Sequence, residues 1–527
     1  VCDFAEQLDK AAELATSLNP ADEVLIVTSN SAIAKRFASF ENKPLNSRLC
    51  IDRGYFNTHI ENLGAVCSKN DWIILAELKS PTLRDDISYF SNNLYAVMRS
   101  GKKMAFIAEA SKPLHNFTQL LRGKYSQQLM LRRELFIDEG GLDKNLSIED
   151  AKWELIAYSW VAKSYRALLV PGIKSTLSPY SGYLADNKLH KKLSSKLHRA
   201  LTEHKKPSPL DKLAARYYRI AQFRNMFIWL ITPRIPARLK LGRLKNTFVA
   251  FGTLDRGRLA TEIKHMRNEV FIYRNPHDLI SMKKEEKSRL NHLIDRPSDT
   301  LIFVILRDRY EPLKQLLKWL EAQNLKKIIL IDNDSKLPPL IDFLEETDYQ
   351  VLELRRNMTQ EAPWEAGIIK VLLPDDFYVV TDPDLIPTTA GKNTLSHLYR
   401  VHAKYPHHLK VGLGLKIDDL PDRYTLKEEV VKWESQFWKY PLEEGVFEAG
   451  VDTTFALYKP YTYSYFIHPS LRTGEPYTVR HLPWYSDSNK LTDEDIFYRL
   501  RADENVNTWD KSQLPERYKK ELAKQRH

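Results

Sequence analysis

The sequence has few cysteines and no long apolar run. Only three of its 527 residues are cysteine, Cys2, Cys50 and Cys67, and their spacing suits neither a zinc site nor a disulfide framework. Unpaired thiols are typical of a reducing compartment. No stretch of about eighteen consecutive apolar residues occurs, and the N-terminus lacks the pattern of a signal peptide. We therefore expect a cytoplasmic protein without a membrane-spanning helix.

Glycine is missing at a place where nucleotide-binding folds often have it. The run 95–107 faintly resembles the late helix, turn and strand of Rossmann-like methyltransferases. In those enzymes a glycine-rich loop after the first strand lets the cofactor approach the backbone, whereas here residues 28–32 read Thr-Ser-Asn-Ser-Ala. We therefore expect residues 1–146 to be an accessory domain that supports or positions, without methyltransferase activity.

Basic residues exceed acidic ones. The chain has 79 Lys and Arg against 68 Asp and Glu, which gives a formal net charge of +11, and 43% of its residues are hydrophobic. This composition indicates a globular protein with anionic partners such as nucleotide phosphates or acidic lipid headgroups. Because no recognition motif for nucleic acid is present, we do not expect nucleic acid as a partner.

Three regions differ in pattern. Strands predicted at 23–28, 71–76 and 103–108 alternate with helices, which indicates an N-terminal doubly wound α/β domain over 1–146. Residues 147–298 are predicted to form a mainly helical, basic connector. Its segment 216–245 interleaves aromatic and basic residues, which suits either a helix lying on an anionic membrane surface or a core helix at an interdomain seam.

The third region, 299–527, begins with a βαβ pattern. Strands are predicted at 301–306, 327–331 and 351–354, with amphipathic helices at 312–322 and 340–346 between them. A further apolar run then ends at Asp382 and Asp384, which are separated by one proline. In open α/β sheets, ligands bind at the carboxyl ends of the strands, so these carboxylates are placed where a ligand site is expected.

Two adjacent carboxylates repel each other unless a positive charge accompanies them. A hard divalent cation that also binds substrate phosphates would provide that charge, so the pair predicts a Mn²⁺ or Mg²⁺ site. The alternative is that Asp382 and Asp384 only stabilise the turn at Pro383, because aspartate is common in turns.

Taken in order, these motifs resemble a GT-A glycosyltransferase of the family 2 type over residues 299–527. The resemblance implies a Rossmann-like nucleotide-sugar domain in which Arg307, Asp308 and Asp332 hold the base and ribose of the nucleotide. It also implies that Asp382 and Asp384 bind the metal and the diphosphate. The expected partners are a nucleotide-sugar donor and a glycan or lipid-linked glycan acceptor, and the expected location is cytoplasmic or peripheral on the membrane.

Transfer with inversion also requires a general base, for which two places remain open. Glu494 and Asp495, in the run Thr-Asp-Glu-Asp at 492–495, are similar to the base motif of the family, although acidic residues are also common at helix starts. Asp452 follows a glycine turn and is the rival. His481 is a candidate third metal ligand, since many GT-A enzymes supply a late histidine.

Two other functions stay open at this stage. A nucleotidyltransferase shares the βαβ opening and the carboxylate pair, but it would normally carry a glycine-rich, lysine-containing loop where residues 307–310 read Arg-Asp-Arg-Tyr. An inactive, transferase-like scaffold that binds carbohydrate is the second alternative.

Overall fold

The computed structural model describes most of the C-terminal half of the chain and parts of the N-terminal third. The described residues are 5–17, 23–40, 44, 46–70, 72–75, 104–110, 125–138, 140–142, 144, 166–171, a few positions between 230 and 248, 284–373, 375–388, 393–460, 462 and 470–501. The chain forms two compact units. The first comprises Val1–Tyr183, Arg289–Lys404 and His408–His527, and the second comprises Leu184–Ser288 and Tyr405–His407. Nearly all described residues belong to the first.

A ten-stranded mixed sheet forms the core of the first unit. Its strands pair in the order β13-β14-β16-β12-β15-β10-β7-β8-β9, and β11 pairs with β16 outside that path. In chain order they are β7 (Leu301–Leu306), β8 (Ile328–Asp332), β9 (Gln350–Glu353), β10 (Tyr378–Thr381), β11 (Leu385–Pro387), β12 (Lys410–Leu415), β13 (Pro441–Glu443), β14 (Val446–Glu448), β15 (Ala456–Tyr458) and β16 (Ser470–His481).

Helices accompany these strands and the N-terminal ones. The described helices are α1 (Ala5–Ser17), α2 (Ser31–Ala38), α3 (Ile60–Cys67), α4 (Arg133–Asp138), α5 (Lys284–Asp295), α6 (Tyr310–Ala322), α7 (Pro338–Glu346), α8 (Ala362–Glu365), α9 (Thr394–Lys404), α10 (Lys427–Glu434) and α11 (Asp493–Arg501). A π-helix covers Ile368–Leu372. In the described residues, no helix is both long and apolar enough to cross a membrane.

The parallel part of the sheet, β10-β7-β8-β9, has the predicted βαβ arrangement. All residues of β7, β8 and β10 are buried, as expected for strands covered on both faces. Helix α6 connects β7 to β8 and buries the leucine stripe Leu313, Leu316, Leu317 and Leu320. The α/β fold class and the positions of these strands are confirmed, because apolar runs bounded by polar loops determine both.

The antiparallel part of the sheet was not predicted in detail. Strand β15 lies between β10 and β12 and is antiparallel to both. Its first residue, Ala456, pairs with Val380. The loop that precedes β15 therefore reaches the carboxyl end of β10, next to Asp382.

The N-terminal sheets differ from the single, mostly parallel sheet expected there. Strands β1 (Val24–Thr28) and β2 (Ser47–Ile51) form a separate parallel pair. A four-stranded sheet has the order β3-β5-β4-β6. Its strands are β3 (Trp72–Leu75), β4 (Met104–Ala110), β5 (Tyr125–Arg132) and β6 (Arg166–Pro171). Because the unpredicted β5 lies antiparallel between β3 and β4, those two strands are not neighbours.

The connector predicted at 147–298 lies largely outside the described residues, as does most of the basic segment 216–245. One described part of it is not helical, because Arg166–Pro171 is strand β6 and pairs in parallel with β4. A short apolar run such as Ala167–Val170 suits a buried helix or a buried strand equally well. Pairing with β4 makes this run a strand. The division at residues 146 and 298 stays a prediction.

Two buried arginines join the N-terminal elements to the C-terminal half within the first unit. Arg48 donates from Nε to Glu23, from Nη1 to the Glu353 carbonyl at 2.6 Å and from Nη2 to the Cys67 carbonyl at 2.5 Å. Both Glu353, at the end of β9, and Cys67, at the end of α3, therefore share one guanidinium.

Arg133 makes a similar connection at the same end of α3. It donates to the carbonyls of Ala65, Val66 and Ala366 at 3.0, 2.8 and 2.9 Å. The last carbonyls of a helix have no partner inside the helix, so the two arginines satisfy the C-terminal end of α3 while they bind the carbonyls of Glu353 and Ala366 in the C-terminal half. Close packing supports the same junction, because a Cβ at Gly367 (φ +81) would lie 2.5 Å from Ile137 Cγ2.

Replacing Arg133 with Met should destabilise the protein by about 3 kcal/mol or more, since three buried carbonyls would each lose a donor at a cost of about 1–3 kcal/mol. Urea unfolding measures this change. Arg36→Met is the control, because the Arg36–Asp9 pair has side chains 48% and 52% exposed and should contribute less than about 1 kcal/mol. Equal effects of the two substitutions would contradict the bridging role of Arg133.

Candidate functional site

The candidate site lies at the carboxyl ends of the parallel strands. Asp308 follows β7, Asp332 ends β8 and Asp382 follows β10, which is parallel to β7. Asp332 and Asp382 are thus two strands apart, roughly 10 Å at the usual strand spacing. Several non-glycine residues in these loops have a positive φ, a strained conformation that is common at functional sites. They are Asp308 (52°), Asp334 (69°), Arg355 (52°), Thr359 (54°) and Phe455 (50°).

Three carboxylates come together at the end of β10. Thr453 connects two of them, because its hydroxyl donates to Asp382 Oδ2 at 2.6 Å while its backbone N–H donates to Asp452 Oδ1 at 2.8 Å. The Asp382 N–H donates in turn to the Thr453 carbonyl at 3.1 Å. Burial, together with the charges of Asp452 and Asp384, raises the pKa of Asp382 well above its usual range. The cluster therefore has more negative charge than its hydrogen bonds neutralise.

A histidine and an arginine lie near Asp384. His481 Nε2 lies 3.7 Å from Asp384 Oδ2, and pairing between β11 and β16 sets Leu385 opposite His481. The second neighbour is Arg309, a buried residue after β7. Burial works against the charge of its guanidinium, yet Asp384, Tyr498 and Asp495 keep the Arg309 pKa above the ordinary value.

The donor set of this cluster suits a divalent cation bound together with phosphates. Among the described residues, no group of three or more His, Cys, Asp or Glu side chains is arranged to hold a metal ion by itself. Mg²⁺ is usually held by one or two carboxylates plus substrate phosphates, and Asp382 and Asp384 provide that number. The raised pKa of Asp382 also agrees with a site that gains from a bound cation.

Asp332 lies in a polar pocket at the end of β8. It accepts a hydrogen bond from the Ser335 N–H at 3.0 Å, and its neighbour Asn333 contacts Asn357, Thr359 and the Met358 N–H. Burial raises the pKa of Asp332 to about 6, against the hydrogen bonds from Ser335. Arg307, after β7, has a buried Nε without a hydrogen-bond partner among the described residues.

Asp308 stabilises the loops at this end of the sheet. Its side chain is fully buried, and Oδ1 accepts from the N–H groups of Lys336 and Leu337, just before α7. Oδ2 accepts from Arg501 Nε at 2.9 Å. Both oxygens are thus already used within the protein.

Helix α11 lies across the same loops, and its acidic residues are engaged. Glu494 accepts from the N–H groups of Tyr310 and Glu311 at the start of α6. Asp495 Oδ1 pairs with Arg309 at 2.8 Å, and Oδ2 accepts from the Thr492 hydroxyl at 2.7 Å. Although burial opposes it, these partners lower the Asp495 pKa. Asp495 therefore lies close to the carboxylate cluster, with Arg309 between it and Asp384.

Sequence reasoning missed several of these contributors. Arg309, Thr453, Tyr498 and Lys410 had no assigned role, and only the structure brings them to the site. The Arg309 guanidinium lies 3.9 Å from the Tyr498 ring centroid. A second basic residue in the loop after β7 was the available signal for Arg309, whereas a threonine in a loop carries no comparable signal.

Comparisons with known proteins give little. No family model and no curated protein matches the chain. A solved structure of CMP:2-keto-3-deoxy-manno-octonic acid synthetase complexed with CTP is similar at 11% identity and a TM-score of 0.23, over 37% of this chain and 88% of its own. A likeness of that size carries no argument about this protein. The strand order of the present chain, without any comparison, is that of a mixed α/β fold of the Rossmann-like kind.

Asp332→Asn should stabilise the protein at pH 7–8 by roughly 2–3 kcal/mol, because each unit of pKa shift corresponds to about 1.4 kcal/mol. The folded-state pKa is raised, so the native state favours the protonated side chain and loses stability as the pH rises through about 6. Below about pH 4, where both states are protonated, the difference should vanish. Urea unfolding from pH 4 to 8 measures it.

The control for this experiment is Asp348→Asn, since the Asp348 side chain is fully exposed. That variant should follow the wild type at every pH. A stability difference between wild type and Asp332→Asn that stays constant with pH would show that Asp332 is not held in a desolvating pocket.

Proposed function

We propose that this protein is a metal-dependent glycosyltransferase that moves a sugar from a nucleotide-sugar donor to a glycan or lipid-linked glycan acceptor. The observation that supports this most directly is the cluster of Asp382, Asp384 and Asp452 at the carboxyl end of β10, two strands from Asp332. Such a cluster is chemically useful where a cation and a diphosphate must be bound side by side.

In this proposal Asp382 and Asp384 hold Mn²⁺ or Mg²⁺, with His481 close enough to contribute. When bound, the cation neutralises the negative charge that develops on the diphosphate leaving group. Arg309 adds a fixed positive charge next to Asp384, and its Nε has no hydrogen-bond partner among the described residues. The guanidinium therefore has a donor left for a phosphate oxygen.

The nucleotide is assigned to the ends of β7 and β8. Asp332 and Arg307 lie there, and a carboxylate and a guanidinium can bind a ribose or a base by hydrogen bonds, whereas the Asn333 amide is already engaged by Asn357, Met358 and Thr359. Asp308 is assigned a different role from the one that the family resemblance implies. Since both of its oxygens are occupied, it holds α7 and α11 in place and does not contact the donor.

Asp452 is our choice for the general base. It is exposed, lies next to Asp382 and so faces the region where the sugar would be bound. Asp495 is less suited to accept a proton, because an ion pair with Arg309 and the Thr492 hydroxyl stabilise its ionised form. Glu494 is bound to the start of α6.

Nucleotide binding can be tested by thermal shift with UDP, GDP, CDP and dTDP, each with and without Mn²⁺. Ligands that bind only the folded state raise the unfolding temperature, by about 2.7 kcal/mol of stability at a hundredfold excess over Kd. We expect one of the four to give a shift that requires Mn²⁺, and we expect Asp384→Asn to abolish that shift.

Asp375→Asn is the matched control for this test. Asp375 precedes β10 at the opposite end of the strand, where its exposed carboxylate pairs with Lys144. The variant should keep the full ligand-dependent shift. If none of the four diphosphates stabilises the wild type in the presence of Mn²⁺, the donor site and the proposed function are wrong.

The assignment of the base can be tested on hydrolysis of the donor that the binding assay identifies. Asp452→Asn should lower kcat by about 100-fold, in the range of general-base catalysis, while diphosphate binding stays close to that of wild type. Asp495→Asn should mainly lower the unfolding temperature, because it weakens the ion pair with Arg309. The opposite outcome, with kcat lost in Asp495→Asn and kept in Asp452→Asn, would transfer the role to Asp495.

A further inference from the structure

Two buried cations bind consecutive carbonyls just before Asp452. Lys410, on β12, donates from Nζ to the Val451 carbonyl at 2.5 Å. Arg472, on β16, donates from Nε to the Gly450 carbonyl at 2.6 Å. The two side chains come from neighbouring strands, since β12 and β16 pair in parallel, and both residues are at most 3% exposed. Neither Lys410 nor Arg472 has a role in the proposed chemistry.

Arg472 is neutralised inside the protein. Its Nη1 pairs with Glu434 at 2.6 Å, and both side chains are almost fully buried. The guanidinium also lies 4.2 Å from the Phe437 ring centroid. This cation therefore has its own carboxylate, which allows it to bind the Gly450 carbonyl without leaving an uncompensated charge.

The surroundings of Lys410 are different. Its ammonium lies 3.4 Å from the Tyr458 hydroxyl and 5.1 Å from the Tyr458 ring centroid. Burial lowers the Lys410 pKa to about 7, and the charge that works against this effect is that of Asp452. A buried ammonium is costly unless negative charge lies nearby, so Lys410 is best explained as the inner counter-charge of the carboxylate cluster.

The loop between these two basic residues and the carboxylate cluster is tightly packed. A Cβ at Gly412 would lie 2.4 Å from Val451 Cγ1, so β12 packs directly against the loop. On the other side, Thr453 exchanges hydrogen bonds with Asp382 through both its hydroxyl and its carbonyl. Asp452 therefore lies between two fixed points, the carbonyls of Gly450 and Val451 and the side chain of Thr453.

We propose that Lys410 and Arg472 are positioning residues that hold the loop Gly450–Thr453 and thereby set Asp452 against Asp382. The consequence for transfer rests on the proposed function, in which Asp452 is the base. A fixed loop keeps the Asp452 carboxylate at one distance from the bound sugar, and misplacement of a catalytic group by about 1 Å can cost about 100-fold in rate.

Hydrogen exchange measured by mass spectrometry tests the positioning of this loop and needs no activity assay. In the wild type, the amides of residues 450–455 should be partly protected, because the Thr453 and Phe455 N–H groups donate hydrogen bonds to Asp452 Oδ1 and to the Thr453 carbonyl. In Lys410→Met they should exchange at least about 10-fold faster, and Lys410→Arg, which keeps a charged donor, should recover part of the protection. Lys427→Met is the control, because the half-exposed Lys427 pairs with Asp422, whose side chain is fully exposed.

Kinetics then separate positioning from a purely structural role. With the donor found by thermal shift, Lys410→Met should lower kcat for hydrolysis by about 10-fold or more and leave the donor KM within about twofold, since Asp382 and Asp384 are unchanged. A parallel loss of kcat, KM and unfolding temperature would show a structural role and overturn the proposal.

The hydrogen-exchange data test the positioning of the loop even if no donor is hydrolysed. Fast exchange at 450–455 in the wild type, which needs no variant, would overturn the proposal, and so would unchanged protection in Lys410→Met. If no donor is hydrolysed by the wild type, the proposed function fails, whereas protection that depends on Lys410 would still support the positioning of this loop.

Discussion

Repulsion among Asp382, Asp384 and Asp452 is the constraint on which the site depends. Like charges at close range disfavour ionisation, and burial together with the charges of Asp452 and Asp384 raises the pKa of Asp382. The fold tolerates the cluster because pairing of β15 with β10 fixes its position and because the basic side chains of three residues lie around it. Arg309 lies on one side, Lys410 lies on the inner side, and His481 approaches Asp384 from β16. In the proposed function, a bound cation would relieve this repulsion.

The loops around the cluster are connected to each other by charged residues that do not take part in the proposed chemistry. Asp308 joins the start of α7 to Arg501, and Glu494 joins α11 to the start of α6. Each of these carboxylates accepts hydrogen bonds from backbone N–H groups at a helix start, where negative charge is favourable. The acidic residues of this region are thus divided between scaffold and site. That division explains why a motif of acidic residues does not by itself identify the base.

The N-terminal elements contact the C-terminal half beside β9 and after α8. Arg48 and Arg133 each bind carbonyls at the end of α3 and a carbonyl of the C-terminal half, Glu353 at the end of β9 and Ala366 after α8. Glu353 precedes the loop with Arg355 and Asn357, and Asn357 contacts Asn333 beside Asp332. In the first unit, the N-terminal part therefore supports the loop that limits the proposed nucleotide pocket. This is consistent with an accessory role and with the missing glycine-rich loop after β1.

The parallel half of the sheet and the acidic ends of its strands can be predicted from the amino-acid sequence. Apolar runs such as Leu301–Leu306 and polar loops with Asp332 and Asp382 are local patterns, and burial acts on them directly. Which carboxylates share a site depends on tertiary contacts. Thr453 and Asp382 are 71 positions apart and Arg309 and Asp495 are 186 apart, so their contacts depend on strand pairing and helix docking. The antiparallel insertion of β15 and the engagement of Asp308 are not local properties of the chain, and no spacing in the sequence encodes them.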